Sequence, residues 1–149
     1  MKVPITPERE EITELFSKGK YEEMEKKFGI ILIERPSNLD CGGYVLNKLN
    51  VVANEQTYKA LWEAQRYDKS VRGIILYTFK GKKRIEQHGI YDGDMVTSKW
   101  YREGPVFKHR IEDVPADFGD FAEFVVYTPE LMMELHAAEH APKSTEEEY

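Results

Sequence analysis

The residue best suited to covalent chemistry is Cys41, the single cysteine in a chain of 149 residues. It follows Asn38-Leu39-Asp40 and precedes apolar residues at helical spacing, which predicts that it lies where a loop becomes a helix. A helix N-terminus carries unpaired N–H groups and the positive end of the helix dipole, and both favour a thiolate over a thiol. Cys41 is therefore a candidate nucleophile, and the alternative is a small buried hydrophobic residue.

A cysteine nucleophile needs a base within hydrogen-bonding distance, and that base is a neighbour in space rather than in sequence. His88 lies in residues 84–91 (RIEQHGIY), a segment with the pattern of a β-strand. Alternation along this strand would place Glu86, His88 and Ile90 on one face. His88 is the candidate base, and the alternative is an exposed or core histidine with a backbone partner.

The hydrophobic pattern of the whole chain predicts the helices and strands that position these two side chains. Helices come first and an antiparallel meander follows, an order typical of α+β proteins. Helices are predicted over 7–18, 21–27, 41–49, 55–66 and 129–140, and strands over 30–33, 71–79, 84–91, 95–101 and 121–127. Residues 105–109 are a loop or short strand, and 111–118 a short helix or turn. We predict a single domain over 1–141 and a disordered acidic tail over 142–149 (PKSTEEEY).

Two glycines, Gly42 and Gly43, follow the cysteine directly. Each costs a helix about 1 kcal/mol relative to alanine, so their presence needs a reason. One interpretation is that backbone or substrate comes close to the start of the helix. The other is that the loop continues beyond Cys41.

Composition narrows the classes of partner. The net charge of −6 argues against a nucleic-acid-binding surface, and we interpret the basic run at 80–84 (KGKKR) as a solvated hairpin tip. One cysteine cannot form an internal disulfide, and no apolar run reaches membrane-spanning length. No glycine-rich phosphate loop is present. We predict a cytoplasmic protein with no cofactor, no nucleic-acid partner and no membrane partner.

A competing motif lies near the carboxyl end. His136-Ala137-Ala138-Glu139-His140 matches the inverted zincin pattern H-x-x-E-H, with two histidines four residues apart on one helix face. A catalytic zinc site needs a third protein ligand, usually well downstream, and only nine residues follow His140. We therefore predict no metal site and two exposed histidines on a terminal helix.

Three segments resemble the papain-like cysteine peptidases of the NlpC and CHAP types. DCGGYVLNKL at 40–49 is similar to their cysteine helix, and HGIYDGDMV at 88–96 is similar to their HVGIYLGDG hairpin. TSKWYREGPVFKH at 97–109 resembles a branch of small proteins with a Ser-Lys, a glycine and then a histidine, followed by a short helix and a closing strand. The likeness covers roughly residues 36–127, and the order and spacing of the motifs count more than any single string.

The resemblance implies a papain-like (NlpC-type) α+β fold with Cys41 as nucleophile and His88 as base. The family usually places a His, Asn or Gln on the next strand, where this chain has Thr97 and Ser98, and His109 is the candidate helper one element later. The expected function is thiol-dependent hydrolysis or acyl transfer at a peptide-like amide of a peptide or protein. The alternative is a non-catalytic interaction protein on the same scaffold, such as a viral or bacterial effector, whose acidic surface binds a protein partner.

Overall fold

The computed structural model describes residues 1–140, so the predicted tail at 142–149 lies outside the described residues. The helices are α1 (Pro7–Ser17), α2 (Tyr21–Phe28), α3 (Cys41–Lys48), α4 (Glu55–Glu63) and α5 (Pro129–Glu139), with a short 3-10 turn, η1 (Ala116–Phe118). The strands are β1 (Ile31–Glu34), β2 (Gly73–Thr78), β3 (Gln87–Tyr91), β4 (Val96–Lys99), β5 (Val106–His109) and β6 (Phe121–Val125). The predicted α+β class is confirmed.

Side-chain caps start the helices where the sequence predicts them. The Thr6, Asn54 and Thr128 side chains accept backbone N–H groups at the starts of α1, α4 and α5. Gly29 ends α2 in the left-handed conformation at φ 70°, which glycine adopts without strain. Across residues 1–140, none of the helices combines the length and apolar character needed to cross a membrane.

The strands form one antiparallel sheet in the order β1-β5-β4-β3-β2-β6. The predicted meander of β2, β3 and β4 is confirmed, and β5 continues it. The basic run at 80–84 lies in the exposed connection between β2 and β3. Two strands extend the sheet beyond the predicted meander, because β1 pairs with β5 and β6 returns beside β2.

Helices cover both faces of the sheet. Successive apolar side chains of β2 point to opposite faces, so the strand contributes to a core on each face. Ile75 and Tyr77 join the core under α1 and α2, whereas Ile74 and Leu76 join the core under α3, α4 and α5. Burying each large aliphatic side chain contributes about 1.5–3 kcal/mol. This second core places the start of α3 against the face of β3 that carries Ile90.

A buried arginine fixes the segment that leads into η1. Arg9 of α1 donates to four backbone carbonyls, those of Val3, Pro4, Val114 and Pro115. Unpaired buried carbonyls would each cost about 1–3 kcal/mol, so this one side chain joins α1 to the chain on either side of it. Asp117 in η1 then reaches the edge of the candidate site.

Candidate active site

The structure brings Cys41 and His88 together. The Cys41 Sγ atom lies 3.4 Å from Nδ1 of His88, within range of a hydrogen bond to sulfur. Cys41 is the first residue of α3, and Asp40 caps that helix by accepting the Gly43 N–H at 2.6 Å. His88 is the second residue of β3, and its strand neighbour Ile90 packs in the same core as α3. A local cap and a non-local packing contact therefore set this distance together.

Gly42 lies close to the rings of Tyr58 and His88. A Cβ atom at this position would lie 2.7 Å from Cε1 of Tyr58 and 3.3 Å from Nδ1 of His88. Any larger residue would push one of these rings away. The close-approach interpretation is supported, with side chains as the near neighbours. The alternative of a longer loop is wrong, because α3 begins at Cys41 itself.

The carboxylate next to the thiol caps the helix, and its charge adds to the upward effect of burial on the pKa of Cys41. Oδ1 of Asp40 accepts the Gly43 N–H and also the hydroxyl of Tyr58, at 2.7 Å. Burial raises the pKa of the Tyr58 phenol, and its hydrogen bond to Asp40 raises that pKa further. Tyr58 therefore stays protonated and acts as a fixed donor to Asp40.

The charge state of the pair is set mainly by burial. Burial raises the pKa of the Cys41 thiol, and the charge of Asp40 raises it further. Together these effects outweigh the hydrogen bonds from backbone groups of His88, Gly42 and Cys41, which lower the pKa. Burial also lowers the pKa of His88 to about 4, against an upward effect of Asp40. At neutral pH the pair is therefore a thiol beside a neutral imidazole.

The register of the sheet determines which residues accompany His88. Ile90 pairs with Thr97 in the β3–β4 ladder, so Lys99 is the cross-strand neighbour of His88 and Thr97 shares its face. Within residues 1–140, no side chain or backbone group hydrogen-bonds to Nε2 of His88. The third member expected from the family resemblance therefore has no counterpart on β4.

His109 lies on the opposite face of the sheet. It pairs with Val96, whose side chain joins the core under α1 and α2. Nδ1–H of His109 donates to the Arg110 carbonyl at 2.7 Å, so Nε2 is the acceptor for the Ser98 hydroxyl, also at 2.7 Å. The prediction that His109 orients His88 does not fit this arrangement, because both its nitrogens are occupied across the sheet from His88.

Lys99 is one of the residues near the site that sequence reasoning missed, along with Tyr58 and Arg102. Its buried ammonium donates to the carbonyls of Tyr101, Arg102 and Gly104 at 3.2, 2.5 and 2.8 Å. Burial lowers the pKa of Lys99, and Cys41 is the first of the groups that oppose this shift. The available signal was a lysine inside the predicted strand 95–101, whereas the observed strand β4 ends at Lys99.

A cavity of about 270 Å³ opens at Cys41. Its lining includes charged and phenolic side chains from the β2–β3 connection, the β4–β5 turn and η1: Arg84, Glu86, Tyr101, Arg102 and Asp117. The Tyr101 hydroxyl donates to both carboxylate oxygens of Asp117, and Nε of Arg84 lies 3.1 Å from Glu86. A small polar group can therefore reach the thiol from this side.

The H-x-x-E-H motif lies at the end of α5, away from this cavity's lining. His136 and His140 are both exposed. Glu139 accepts the Val52 N–H through one carboxylate oxygen and lies 3.1 Å from the His140 ring through the other. In the described part of the chain, no three His, Cys, Asp or Glu side chains are grouped as metal ligands.

Comparison with protein-family models, with curated proteins and with solved structures gives no match for this chain.

Proposed function

We propose that this chain is a small divergent member of the NlpC/CHAP group of papain-like proteins and acts as a thiol-dependent hydrolase or acyltransferase on peptide-like amides. Cys41 is the nucleophile and His88 is the base. The observation that carries the proposal is the 3.4 Å separation of Cys41 Sγ from His88 Nδ1 at a helix N-terminus, beside an open cavity. The substrate is a peptide or protein, and the proposed location is the cytoplasm, where an unpaired thiol stays reduced.

In the proposed reaction, Nδ1 of His88 takes the thiol proton as the Cys41 sulfur attacks the carbonyl carbon. The carbonyl oxygen becomes an oxyanion beside the N–H groups of Cys41 and Gly42, in the first turn of α3. One such donor typically lowers a barrier by about 3 kcal/mol. His88 then gives its proton to the leaving amine, and the thioester passes its acyl group to water or to another nucleophile.

The electrostatics favour general-base catalysis over a preformed ion pair. The pKa of His88 is about 4 because its ring is buried, so the imidazole is uncharged at rest and becomes cationic only as the proton moves. The charge of Asp40 stabilises that cation, but no group among residues 1–140 accepts a hydrogen bond from Nε2. We therefore expect slow turnover, with acylation as the step most sensitive to His88.

One observation favours a second candidate, a non-catalytic interaction protein on the same scaffold. The family usually orients its histidine with an amide or imidazole, whereas this chain places Lys99 opposite His88, and its ammonium is bound to carbonyls. On this alternative, the neutral pair is a remnant and the cavity binds a protein partner without reacting.

Acetylation by 4-nitrophenyl acetate separates the two candidates. We expect one acetyl group per chain on Cys41 by mass spectrometry, formed about 100-fold more slowly in His88→Ala and not at all in Cys41→Ser. His136→Ala, at an exposed position of α5, is the matched histidine control and should react like the wild type. Equal rates in His88→Ala and wild type would overturn the catalytic pair and leave the interaction protein as the better account.

A further inference from the structure

The lining of the cavity at Cys41 includes Arg102, an exposed arginine without a carboxylate partner among residues 1–140. Arg102 lines the cavity, and none of residues 1–140 forms an ion pair or hydrogen bond with its side chain. Its positive charge reaches the site, since it lowers the pKa of Tyr58 against the dominant upward effect of burial. An arginine left unpaired beside a candidate nucleophile is suited to bind a carboxylate.

Hydrogen bonds and close backbone packing hold the turn that carries Arg102. Lys99 holds the Arg102 carbonyl at 2.5 Å, and Tyr101 adopts the left-handed conformation at φ 65° with its hydroxyl bound to Asp117. Gly104 closes the turn, where a Cβ atom would lie 1.7 Å from the Trp100 carbonyl oxygen. The backbone under Arg102 is therefore fixed before any ligand arrives, which reduces the entropic cost of binding.

The other charged groups of the cavity already have partners. Asp40 accepts from Gly43 and Tyr58, Asp117 accepts from Tyr101, and Glu86 pairs with Arg84. The charges of Arg84 and Glu86 cancel within their own pair. The donors to Asp40 and Asp117 are uncharged, so these carboxylates keep their charge. Arg102 is the cationic side chain of the lining that remains available to an incoming molecule.

We propose that Arg102 selects acyl compounds that carry a carboxylate next to the reacting carbonyl. The inference rests on the proposed function, because it names the substrate class of the same cavity. The carboxylate would accept two N–H bonds from the guanidinium while the carbonyl lies at Cys41. An acidic side chain and a free carboxyl terminus offer the same chemistry.

Charged and neutral alkylating reagents test this selection without requiring catalysis. Because Cys41 is the single cysteine, alkylation of the native chain reports on this cavity alone. We expect the rate ratio of iodoacetate to iodoacetamide to fall about fivefold in Arg102→Gln, as for an exposed ion pair, and further in Arg102→Glu. The wild-type ratio should fall as salt is added. The matched control is Arg72→Gln, which removes the same charge just before β2, at the end of that strand opposite the β2–β3 connection. This variant should leave the ratio unchanged.

Two results would overturn the proposal. One is an equal ratio in wild type and Arg102→Gln. The other is a native chain whose Cys41 resists both reagents while the unfolded chain reacts. Failure of the acetylation experiment alone would not affect this test, because alkylation needs only access and charge. The two proposals can therefore fail separately.

Protection by short peptides distinguishes the sources of the carboxylate. Acetyl-Gly-Glu-Gly-amide and acetyl-Gly-Gln-Gly with a free carboxyl terminus each carry one carboxylate, and acetyl-Gly-Gln-Gly-amide carries none. Stronger protection of Cys41 from iodoacetamide by the first identifies an acidic side chain, and stronger protection by the second identifies a chain terminus. Protection by neither, or equal protection by all three, would overturn the substrate class.

Discussion

At the scale of single residues, two opposing effects act on the pKa of the Cys41 thiol. The N–H groups of Cys41 and Gly42 favour the thiolate, as expected for a helix N-terminus. Burial favours the uncharged thiol and is the larger effect, because a helix end contributes only about 0.3–1 kcal/mol at an exposed position. The sequence showed the helix end but could not show the depth of the sulfur, which depends on Tyr58 and His88 packing against Gly42.

This balance predicts the pH dependence of Cys41 alkylation. We expect the iodoacetamide rate to rise in a single step with a midpoint above about 9, because burial raises the pKa of the thiol from that value. No plateau should appear between about pH 5 and 8, since the pKa of His88 is lowered to about 4 and no ion pair forms. The check is a stopped-flow pH series on wild type and His88→Ala. A plateau in the wild type that His88→Ala removes would mean that a thiolate–imidazolium pair exists at rest.

At the scale of secondary-structure elements, strand register determines the neighbours of His88. Because side chains alternate between faces, a shift of one residue would exchange Lys99 for Ser98 beside the imidazole. The sequence resemblance led to Thr97, Ser98 and His109 as candidates for the third member. The structure places Ser98 and His109 together on the other face, hydrogen-bonded to each other.

Lys99 links β4 to the turn that faces Cys41, and its removal should loosen that turn. We expect Lys99→Met to lower the free energy of unfolding by about 2–3 kcal/mol. Three carbonyls lose their donor, in one buried and two partly buried hydrogen bonds, while the apolar stem is kept. Urea unfolding measures the loss, and Lys108→Met on the neighbouring strand is the control, with an expected change below about 0.5 kcal/mol. Similar values for the two variants would show that the ammonium contributes nothing to the turn.

At this scale, features set by neighbouring residues could be predicted from the sequence, whereas features set by tertiary contacts could not. Thr6-Pro7, Asn54 and Thr128-Pro129 mark helix starts because a cap acts within three residues of itself. The Cys41–His88 contact was reached only as a hypothesis, first from the placement of the two residues and then from the family resemblance. The early end of α4 at Glu63 and the pairing of β1 with β5 depend on tertiary contacts that no short pattern contains.

At the scale of the whole molecule, helices on both faces make the sheet a buried layer. Polar side chains within it must therefore satisfy one another. Trp100 Nε1–H donates to Ser98, Ser98 donates to His109, and His109 donates to the Arg110 carbonyl. This chain of hydrogen bonds requires an uncharged His109, because protonation of Nε2 would remove the acceptor for Ser98.

Stability should therefore fall in mild acid. Burial lowers the pKa of His109 from 6.5 to about 4 in the folded state, so between these values the unfolded chain binds a proton that the folded chain does not. The contribution of His109 is fully present above about pH 6.5 and is lost as the pH falls towards 4, amounting to about 3 kcal/mol. Urea unfolding at a series of pH values should show a smaller acid loss in His109→Gln than in wild type, whereas His136→Gln should follow the wild type. An NMR titration of the His109 ring measures its pKa directly in the wild-type protein, so this test needs no variant. A midpoint near 6.5, or equal acid losses in all three proteins, would mean that the buried hydrogen-bond chain tolerates a charged imidazole.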